Sequence, residues 1–290
     1  MTAAGRVRSS SPPLPSPLAP AGTTPSSWSA DPYADALRTG RGPLFLRCAG
    51  GRMLPLDVER WCAAADAADH EVLRRCEGPV LDVGCGPGRL VTELSAQGRP
   101  ALGVDVSEAA VDRTRRLGGR ALHRSVFTPL PDEGRWGTAL LIDGNVGIGG
   151  DPLALLARMS GLLRPGGLLI AETAPVPDTD ERLRVRIVRS ADASGDTADL
   201  DAPGAPFRWA RLGAQALLRY AARTGGWHPA GQWASGGRCF VALRSRRGAD
   251  RIPPPADIPG PAVAGPRDRP PVVPQRPSGD SPLARRTERT

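Results

Sequence analysis

Residues 80–90 read VLDVGCGPGRL, in which an acid and three evenly spaced glycines follow an apolar run. Glycine has no Cβ and adopts positive φ readily, so a turn built from it lets the backbone come close to a ligand. In an open α/β sheet, ligands bind beyond the carboxyl ends of the strands, where such a turn would lie. Gly84, Gly86 and Gly88 are therefore candidate ligand-binding residues.

A second acid lies at the distance that ribose binding requires. Dinucleotide sites carry an acid about 20 residues after the first glycine, at the end of the next strand. Asp105 follows Gly84 by 21 residues and ends the apolar run GVDV. The dinucleotide pattern G-x-G-x-x-G is broken, because Arg89 stands where its third glycine belongs. The spacing favours a nucleoside ligand and disfavours a nicotinamide dinucleotide.

Two further groups of polar residues accompany apolar segments. The loop LIDGNVGIGGDPL (141–153) contains Asp143, Asn145 and four glycines that keep it open. Upstream, Asp69 falls on the apolar stripe of a helical pattern and precedes His70. A carboxylate on a buried face is costly unless it has a partner.

Apolar runs alternate with helical patterns, which predicts a parallel sheet with helices on both faces. The predicted strands are 79–83, 100–106, 121–127, 137–144 and 168–173. The predicted helices are 55–76, begun by Asp57, then 88–98, 107–119, capped by Ser107, and 151–167. Further along, 182–190 predicts an extended segment, 207–226 a helix, and 227–235 with 238–244 an antiparallel pair.

The ends of the 290-residue chain differ in composition from its middle. Residues 1–30 are rich in Pro and Ser, and residues 247–290 are rich in Pro and Arg without an aromatic residue. Such segments bury too little apolar surface to offset the entropy of ordering, so we expect both to be disordered tails. One domain is predicted over residues 31–246.

Charge and cysteine usage exclude several classes of protein. Two of the eight net positive charges lie in residues 1–30 and three in residues 247–290, so the body is nearly neutral and nucleic acid is not an expected partner. All 38 basic residues are arginine, which excludes lysine chemistry. The five cysteines show no metal-ligand spacing, so no metal site is expected. Without a membrane-length apolar run or a signal peptide, we expect a cytoplasmic protein.

The motif DVGCGPG, together with Asp105 and LLRPGG (162–167), resembles the class I S-adenosylmethionine-dependent methyltransferases. Asp82, two residues before the first glycine, suits a ligand with an ammonium group better than a pyrophosphate. The motifs cover residues 55–175, and the strand count extends the resemblance to about residue 245. The resemblance implies a Rossmann-like three-layer α/β sandwich whose mostly parallel, twisted sheet has about seven strands and an antiparallel C-terminal strand pair.

The resemblance also implies S-adenosyl-L-methionine as the cofactor. The implied cofactor-binding residues are Asp82, Gly84, Cys85, Gly86, Gly88, Asp105, Val106, Ser125, Val126 and Asp143. Among them, the glycine turn approaches the methionine part, with Asp82 near its amino end. Asp105 holds the ribose and Val106 touches the adenine. Ser125, or the backbone that follows it, stands where many members place an acid for the adenine amino group.

Methyl transfer from a sulfonium is a direct displacement that relies on positioning and desolvation. A base is needed only where the acceptor must lose a proton, and Asp143, His70 and Asp69 are the candidates for this catalytic role. The candidate substrate-binding residues are Asn145, Trp61, Phe207, Arg208 and Trp209. An aromatic and arginine lining suits a flat or anionic small molecule. The loop 141–153 lacks the NPPY-type motif of DNA and protein amide methylases, which disfavours those acceptors.

The most favoured function is a methyltransferase that acts on a small-molecule acceptor. A catalytically silent cofactor-binding scaffold, with the Arg/Pro-rich tail docking a partner, is the alternative, and a pocket plugged by side chains would favour it. A nicotinamide enzyme is disfavoured by Arg89. A nucleic-acid methylase stays open through the basic tails.

Overall fold

The computed structural model describes residues 31–189 and 205–246. The predicted disordered tails, 1–30 and 247–290, lie outside the described residues, so the domain boundaries stay a prediction. The elements in chain order are α1 (Asp31–Thr39), β1 (Leu44–Cys48), β2 (Met53–Leu56), α2 (Val58–Cys62), α3 (Ala67–Arg75), β3 (Val80–Val83), α4 (Arg89–Ala96), β4 (Ala101–Asp105), α5 (Glu108–Arg116), β5 (Ala121–His123), β6 (Trp136–Leu141), a 3₁₀ turn (Asn145–Gly147), α6 (Pro152–Leu162), β7 (Leu163–Thr173), β8 (Asp180–Val188), β9 (Phe207–Leu212), α7 (Ala214–Thr224), β10 (Trp227–Ser235) and β11 (Arg238–Ser245).

The main sheet has seven strands in the order β10-β11-β7-β6-β3-β4-β5. Strands β3 to β7 pair in parallel, whereas β11 runs antiparallel to β7 and pairs antiparallel with β10. This confirms the predicted mostly parallel sheet with an antiparallel C-terminal pair. The strand order reverses between β3 and β6, and such a reversal opens a crevice at the carboxyl ends of the strands.

Helices cover both faces of the main sheet, because its central strands are apolar on both sides. Leu81 and Val83 belong to one core with Leu155 of α6 and Leu217 of α7. Val80 points to the opposite face and packs in a second core with residues of α3, α4 and α5. The resulting three layers confirm the predicted sandwich. Among the residues described, none of the helices is both long and apolar enough to span a bilayer.

A second sheet, which was not predicted, has the antiparallel order β2-β1-β8-β9. The alternation of apolar residues with arginine over 182–190 indicated an extended segment, and β8 confirms it. The inward side chains of this sheet, such as Leu46, Ile187 and Trp209, form a third core. Leu46 of β1 lies opposite Ile187 of β8, so the sheet unites two distant parts of the chain.

The predicted helix over 55–76 was wrong as a single element, since it is divided into α2 and α3. Asp57 caps α2 as predicted, but Asp66 begins a new helix. The Asp66 side chain accepts from the backbone N–H of Asp69, and the Asp69 side chain accepts from the backbone N–H of Asp66. Such a capping box starts a helix rather than continuing one.

Two other predicted helices were partly wrong. Residues 207–212 form strand β9, and the helix α7 begins only at Ala214. Phe207 and Trp209 alternate with exposed Arg208, which is the period of a strand. The predicted helix 151–167 ends at Leu162, and the LRPGG segment is part of β7.

Candidate functional site

A cleft of about 1060 Å³, partly open to solvent, lies at the carboxyl ends of β3, β4 and β6. The loops after these strands line one part of it. The inward face of the second sheet lines another part through Leu46, Leu56, Phe207 and Trp209. Tyr33 of α1 also contributes to the lining. Segments that are far apart in the chain, from α1 to β9, therefore line the same cleft.

The three glycines of the turn all have positive φ, at +73° for Gly84, +53° for Gly86 and +90° for Gly88. Their surroundings differ. A Cβ on Gly88 would collide with the side chain of Thr114 in α5, so this glycine permits helix packing. A Cβ on Gly86 would have no neighbour closer than the Tyr33 hydroxyl at 3.8 Å. Only Gly86 therefore presents an open backbone face.

Asn145 closes the remaining side of the turn. Its Nδ2 donates to the carbonyl oxygens of Val83 at 3.0 Å and Gly84 at 2.8 Å. A Cβ on Gly84 would lie 2.6 Å from that amide nitrogen, which explains the glycine. The loop after β6 is in this way hydrogen-bonded to the loop after β3, and both line the cleft.

Asp105 links the end of β4 to the glycine turn. Its Oδ2 accepts from the Gly86 N–H at 2.8 Å, and its Oδ1 accepts from the Ser107 N–H at 2.8 Å. Burial raises the pKa of the Asp105 carboxyl, while these backbone donors oppose the shift. The Tyr33 hydroxyl is buried nearby, and burial together with the Asp105 charge raises its pKa well above the usual value. Asp105 lines the cleft and retains lone pairs for a ligand.

Asp82, at the end of β3, is buried in the wall of the cleft with 3% of its surface exposed. Burial is the main cause that raises the pKa of its carboxyl to about 7, and the Asp143 charge adds to this. The Arg89 guanidinium opposes the shift without cancelling it. A cationic ligand group in the cleft would favour the ionised form of Asp82.

Asp143, which follows β6, is surrounded by three arginines that we call the arginine cluster: Arg60, Arg89 and Arg238. Its Oδ1 accepts from Arg60 at 2.6 Å and from Arg238 at 3.4 Å. Its Oδ2 accepts from Arg89 at 2.8 Å. The backbone has φ +58°, a left-handed conformation that is uncommon outside glycine. The backbone N–H of Asp143 donates to Glu172 Oε2 at 2.8 Å, which helps to hold this conformation.

Asp69 was expected to need a partner on the buried face of its helix, and it has two. It is fully buried and accepts from Arg89 at 2.5 Å and Arg238 at 2.8 Å. His70 lies on a more exposed part of α3, with Nδ1 3.7 Å from Glu93. Neither Asp69 nor His70 is among the residues that line the cleft. Their positions argue against either of them acting as a base.

Two guanidinium nitrogens of the arginine cluster are buried without an acceptor among the described residues. They are Nη1 of Arg60 and Nε of Arg89. Arg89 itself lines the cleft, and only 3% of its side chain is exposed. Burying a donor without an acceptor lowers the stability of the folded protein, so such donors are rare in native structures. The positive charge of Arg89 in the wall of the cleft would attract an anionic group of a ligand.

The structure brings together most of the residues predicted from the sequence. The predicted residues that line the cleft are Trp61, Asp82, Gly84, Cys85, Gly86, Asp105, Val106, Ser125, Val126, Asp143, Asn145, Phe207 and Trp209. The structure leaves out Gly88, which packs against Thr114, and Arg208, which is exposed on the outer face of β9. Asp69 and His70 also lie outside.

Several lining residues were missed. Tyr33, Leu46 and Leu56 belong to α1, β1 and β2, which precede the first motif and show no signal of their own. Arg89 was noticed only as a mismatch to a glycine pattern. Phe127 ends one predicted strand and Ile148 follows another, and apolar residues in such places resemble ordinary core residues. The only sequence signal for this ion pair was Asp69, an acid on a predicted buried face that needs a partner, and Arg89 is one such partner.

A family model described as "Methyltransferase domain" matches residues 59–232. Among solved structures, the chain is similar to a SAM-dependent methyltransferase from Bacteroides fragilis in complex with S-adenosyl-L-homocysteine, at 20% identity over 76% of this chain and 95% of that chain, with a TM-score of 0.60. It is also similar to the Burkholderia thailandensis 1,6-didemethyltoxoflavin-N1-methyltransferase, at 20% identity over 63% and 77% of the two chains and a TM-score of 0.43. No curated protein matches the chain significantly.

Proposed function

Because this chain belongs to the methyltransferase-domain family, we propose that it transfers the methyl group of S-adenosyl-L-methionine to a small-molecule acceptor in the cleft. The observation that carries this proposal is the meeting, in one cleft, of the open Gly86 backbone, the Asp105 carboxylate and an apolar wall from the second sheet. The first two suit the cofactor, and the third suits an acceptor.

The residues of the cleft fit the chemical groups of the cofactor. Asp105 would accept from the ribose hydroxyls, and Asp82 would face the ammonium of the methionine part. The guanidinium of Arg89, which lines the cleft, would attract the methionine carboxylate. Ser125 and the backbone after it would face the adenine. The bound cofactor supplies a methyl group that is already activated on a sulfonium.

The protein contributes position and desolvation to this reaction. The second sheet and α2 cover the cleft with apolar side chains, and exclusion of water strengthens the electrostatic interactions inside. Asp143 is proposed to act by holding the loop after β6 in place, since both of its oxygens accept from arginines. It could take up a proton only by breaking those ion pairs.

The openness of the cleft supports catalysis over the alternative of a silent scaffold. Side chains would plug the pocket of a scaffold, whereas this cleft is partly open to solvent and spans about 1060 Å³ when that open space is included.

The proposed location is the cytoplasm. All five cysteines are free, and three of them, Cys48, Cys76 and Cys85, are buried. Free cysteines are usual in the reducing interior of a cell, whereas secreted domains of modest size tend to use disulfides.

Titration calorimetry of the full chain with S-adenosyl-L-methionine, and separately with NAD, tests the proposal. We expect binding of the first ligand only. The Asp105→Ala variant loses two hydrogen bonds to a charged acceptor, each worth about 1.5–3 kcal/mol, so its affinity should fall by about 100-fold or more. Asp112→Ala, on the half-exposed face of α5, is the control and should bind normally. Tighter binding of NAD, or equal affinity of both variants, would refute the proposal.

Alanine substitutions at Gly86 and at Gly88 should distinguish a glycine that lets the ligand approach the backbone from a glycine that allows helix packing. Positive φ costs either alanine about 1–2 kcal/mol, and the collision with Thr114 adds about 1–3 kcal/mol at Gly88. Gly88→Ala should therefore be the less stable variant in urea denaturation. Gly86→Ala should be the one that loses cofactor affinity while it stays folded. If Gly86→Ala binds the cofactor like the wild type, the turn does not approach the ligand.

A further inference from the structure

Many of the side chains that line the cleft are apolar or aromatic. Besides Tyr33, four rings line it, those of Trp61, Phe127, Phe207 and Trp209. Phe207 and Trp209 pack edge to face with their centroids 6.1 Å apart. Ile148 joins the loop after β6 to the second sheet through a bridge to Trp209. Aromatic side chains in such numbers favour a flat ring system that can pack on their faces and edges.

Among the described residues that line the same cleft, none is left to remove a proton from an acceptor. The charged and titratable residues among its described lining are Tyr33, Asp82, Cys85, Arg89, Asp105, Arg124 and Asp143. None of the three histidines of the chain belongs to that lining, and the chain has no lysine. Burial raises the pKa of the Tyr33 hydroxyl and of the Cys85 thiol well above their usual values, so both stay protonated near neutral pH.

Each of the three carboxylates has another role. Asp105 is bound to the backbone of the glycine turn and faces the ribose in the proposed function. The oxygens of Asp143 accept from the arginine cluster. Asp82, with a pKa of about 7, would be paired with the cofactor ammonium once the cofactor is bound. The acceptor that fits this described lining is therefore one whose nucleophilic lone pair is already free.

Few common nucleophiles meet that condition at neutral pH without carrying a charge, and a carboxylate meets it only as an anion, which is costly to bury among apolar side chains. A phenol with a pKa of about 10 keeps its proton, and an aliphatic amine with a pKa of about 10.4 has its lone pair protonated. An imidazole-like ring nitrogen has a pKa of about 6.5, so most of it is unprotonated at pH 7. Ring nitrogens thus combine a free lone pair with the flat shape that the aromatic lining favours.

We infer that the acceptor is a flat heteroaromatic molecule that is methylated on a ring nitrogen, an assignment that rests on the proposed function. The nitrogen lone pair forms the new bond to the methyl carbon as the carbon–sulfur bond breaks. The electron pair of the broken bond stays on sulfur, which becomes a neutral thioether. The positive charge passes to the methylated ring, where the faces of Trp61 and Trp209 stabilise it. A proton that the product sheds goes to water.

The test is methyl transfer from labelled S-adenosyl-L-methionine to a panel of bicyclic acceptors of similar size. The panel contains isoquinolines and benzimidazoles with different ring-nitrogen basicities, 2-naphthol as a phenol, and tetrahydroisoquinoline as an aliphatic amine. We expect transfer to ring nitrogens only. The rate should rise with pH around the pKa of each acceptor, and this midpoint should shift from one acceptor to the next. A midpoint that stays constant across acceptors would indicate a base in the enzyme and would overturn the inference.

Substitution of Trp209 tests the role of the aromatic lining. Trp209→Leu should lower kcat/KM for a ring-nitrogen acceptor at least tenfold, whereas Trp209→Phe should stay within about threefold, because a smaller ring keeps part of the cation–π interaction. Phe45→Leu is the matched control, since Phe45 lies on the same sheet opposite Val188 and outside the cleft. The cofactor affinity of all three variants should be unchanged.

The outcomes separate this inference from the function on which it rests. If calorimetry shows no binding of S-adenosyl-L-methionine, both are overturned. If the cofactor binds, then preferred transfer to 2-naphthol or to the aliphatic amine overturns the inference alone. Cofactor binding without transfer to any ring nitrogen of the panel overturns it as well.

Discussion

Replacement of Arg89 with methionine is expected to lower the free energy of unfolding by about 3–5 kcal/mol, the usual loss when one partner of a buried ion pair is removed. The Arg89 side chain is 3% exposed and bonds to the fully buried Asp69 and to Asp143. Methionine preserves most of the volume but leaves Asp69 with Arg238 as its one charged partner among the described residues. Urea denaturation of the ligand-free protein measures the loss.

The matched control is Arg244→Met. Arg244 also forms a two-pronged pair, with Glu77 at 3.0 and 2.5 Å, but both side chains are 41% exposed. An exposed pair of this kind contributes about 0–1 kcal/mol. If both variants lose the same free energy of unfolding, then burial does not determine how much the ion pairs of the arginine cluster contribute to stability. Arg89→Met should in addition weaken cofactor binding, which the control should not.

The Asp82→Asn variant is expected to be more stable than the wild type, by up to about 4 kcal/mol at pH 8. The wild-type carboxyl has a pKa of about 7 in the folded protein, against about 3.9 when unfolded. The folded state therefore holds a proton that the unfolded state has released, and this group makes wild-type stability fall as pH rises from 4 to 7. Above pH 7 the loss is complete. Asparagine carries no such charge, so the difference between the proteins should grow over that range.

Thermal denaturation between pH 4 and pH 8 measures this difference. Asp151→Asn serves as the control, because Asp151 caps α6 and asparagine caps a helix equally well. The same Asp82→Asn substitution should weaken the binding of S-adenosyl-L-methionine, whose ammonium loses its ionised partner. A stability difference that does not change with pH, or unchanged cofactor affinity, would contradict this role of Asp82.

The elements that could be predicted from the sequence are those specified by local signals. Ser107 begins α5 because its side chain accepts from the Ala110 N–H, as its position before a helical pattern indicated. The buried strands β3 and β4 are short apolar runs, and Gly84 follows the first while Asp105 ends the second. Because parallel strands place their carboxyl ends along one edge, the spacing of these residues was enough to bring them together.

The second sheet could not be predicted, because its pairing depends on contacts between distant segments. β1 is a strand of five residues, and its sequence alone does not distinguish it from an exposed loop. In the structure it pairs with β8. Residues 207–212 were predicted to be helical because they run directly into α7. They form a strand instead, with the alternate side chains of Phe207 and Trp209 buried in the core of this sheet.

The role of Asp143 was unclear for a related reason. Its sequence neighbours suggested an open, polar loop that could supply a base. Arg60, Arg89 and Arg238 come from α2, α4 and β11, and none of them is near Asp143 in the chain. A lone acid in a glycine-rich loop and an acid enclosed by three guanidinium groups have the same local sequence, so only the folded chain distinguishes them.

The arrangement of the second sheet has a consequence for how acceptor choice can evolve. The family match covers residues 59–232, so β1 and β2 lie before it and the strand that carries Arg238 lies after it. The glycine turn and Asp105 lie within the match. β8 and β9 of the second sheet lie within the match as well, but they and the glycine turn are separate stretches of the chain. If the proposed function holds, recombination that exchanges residues 44–56 together with 180–212 changes the acceptor range and leaves the methyl-donor site unchanged.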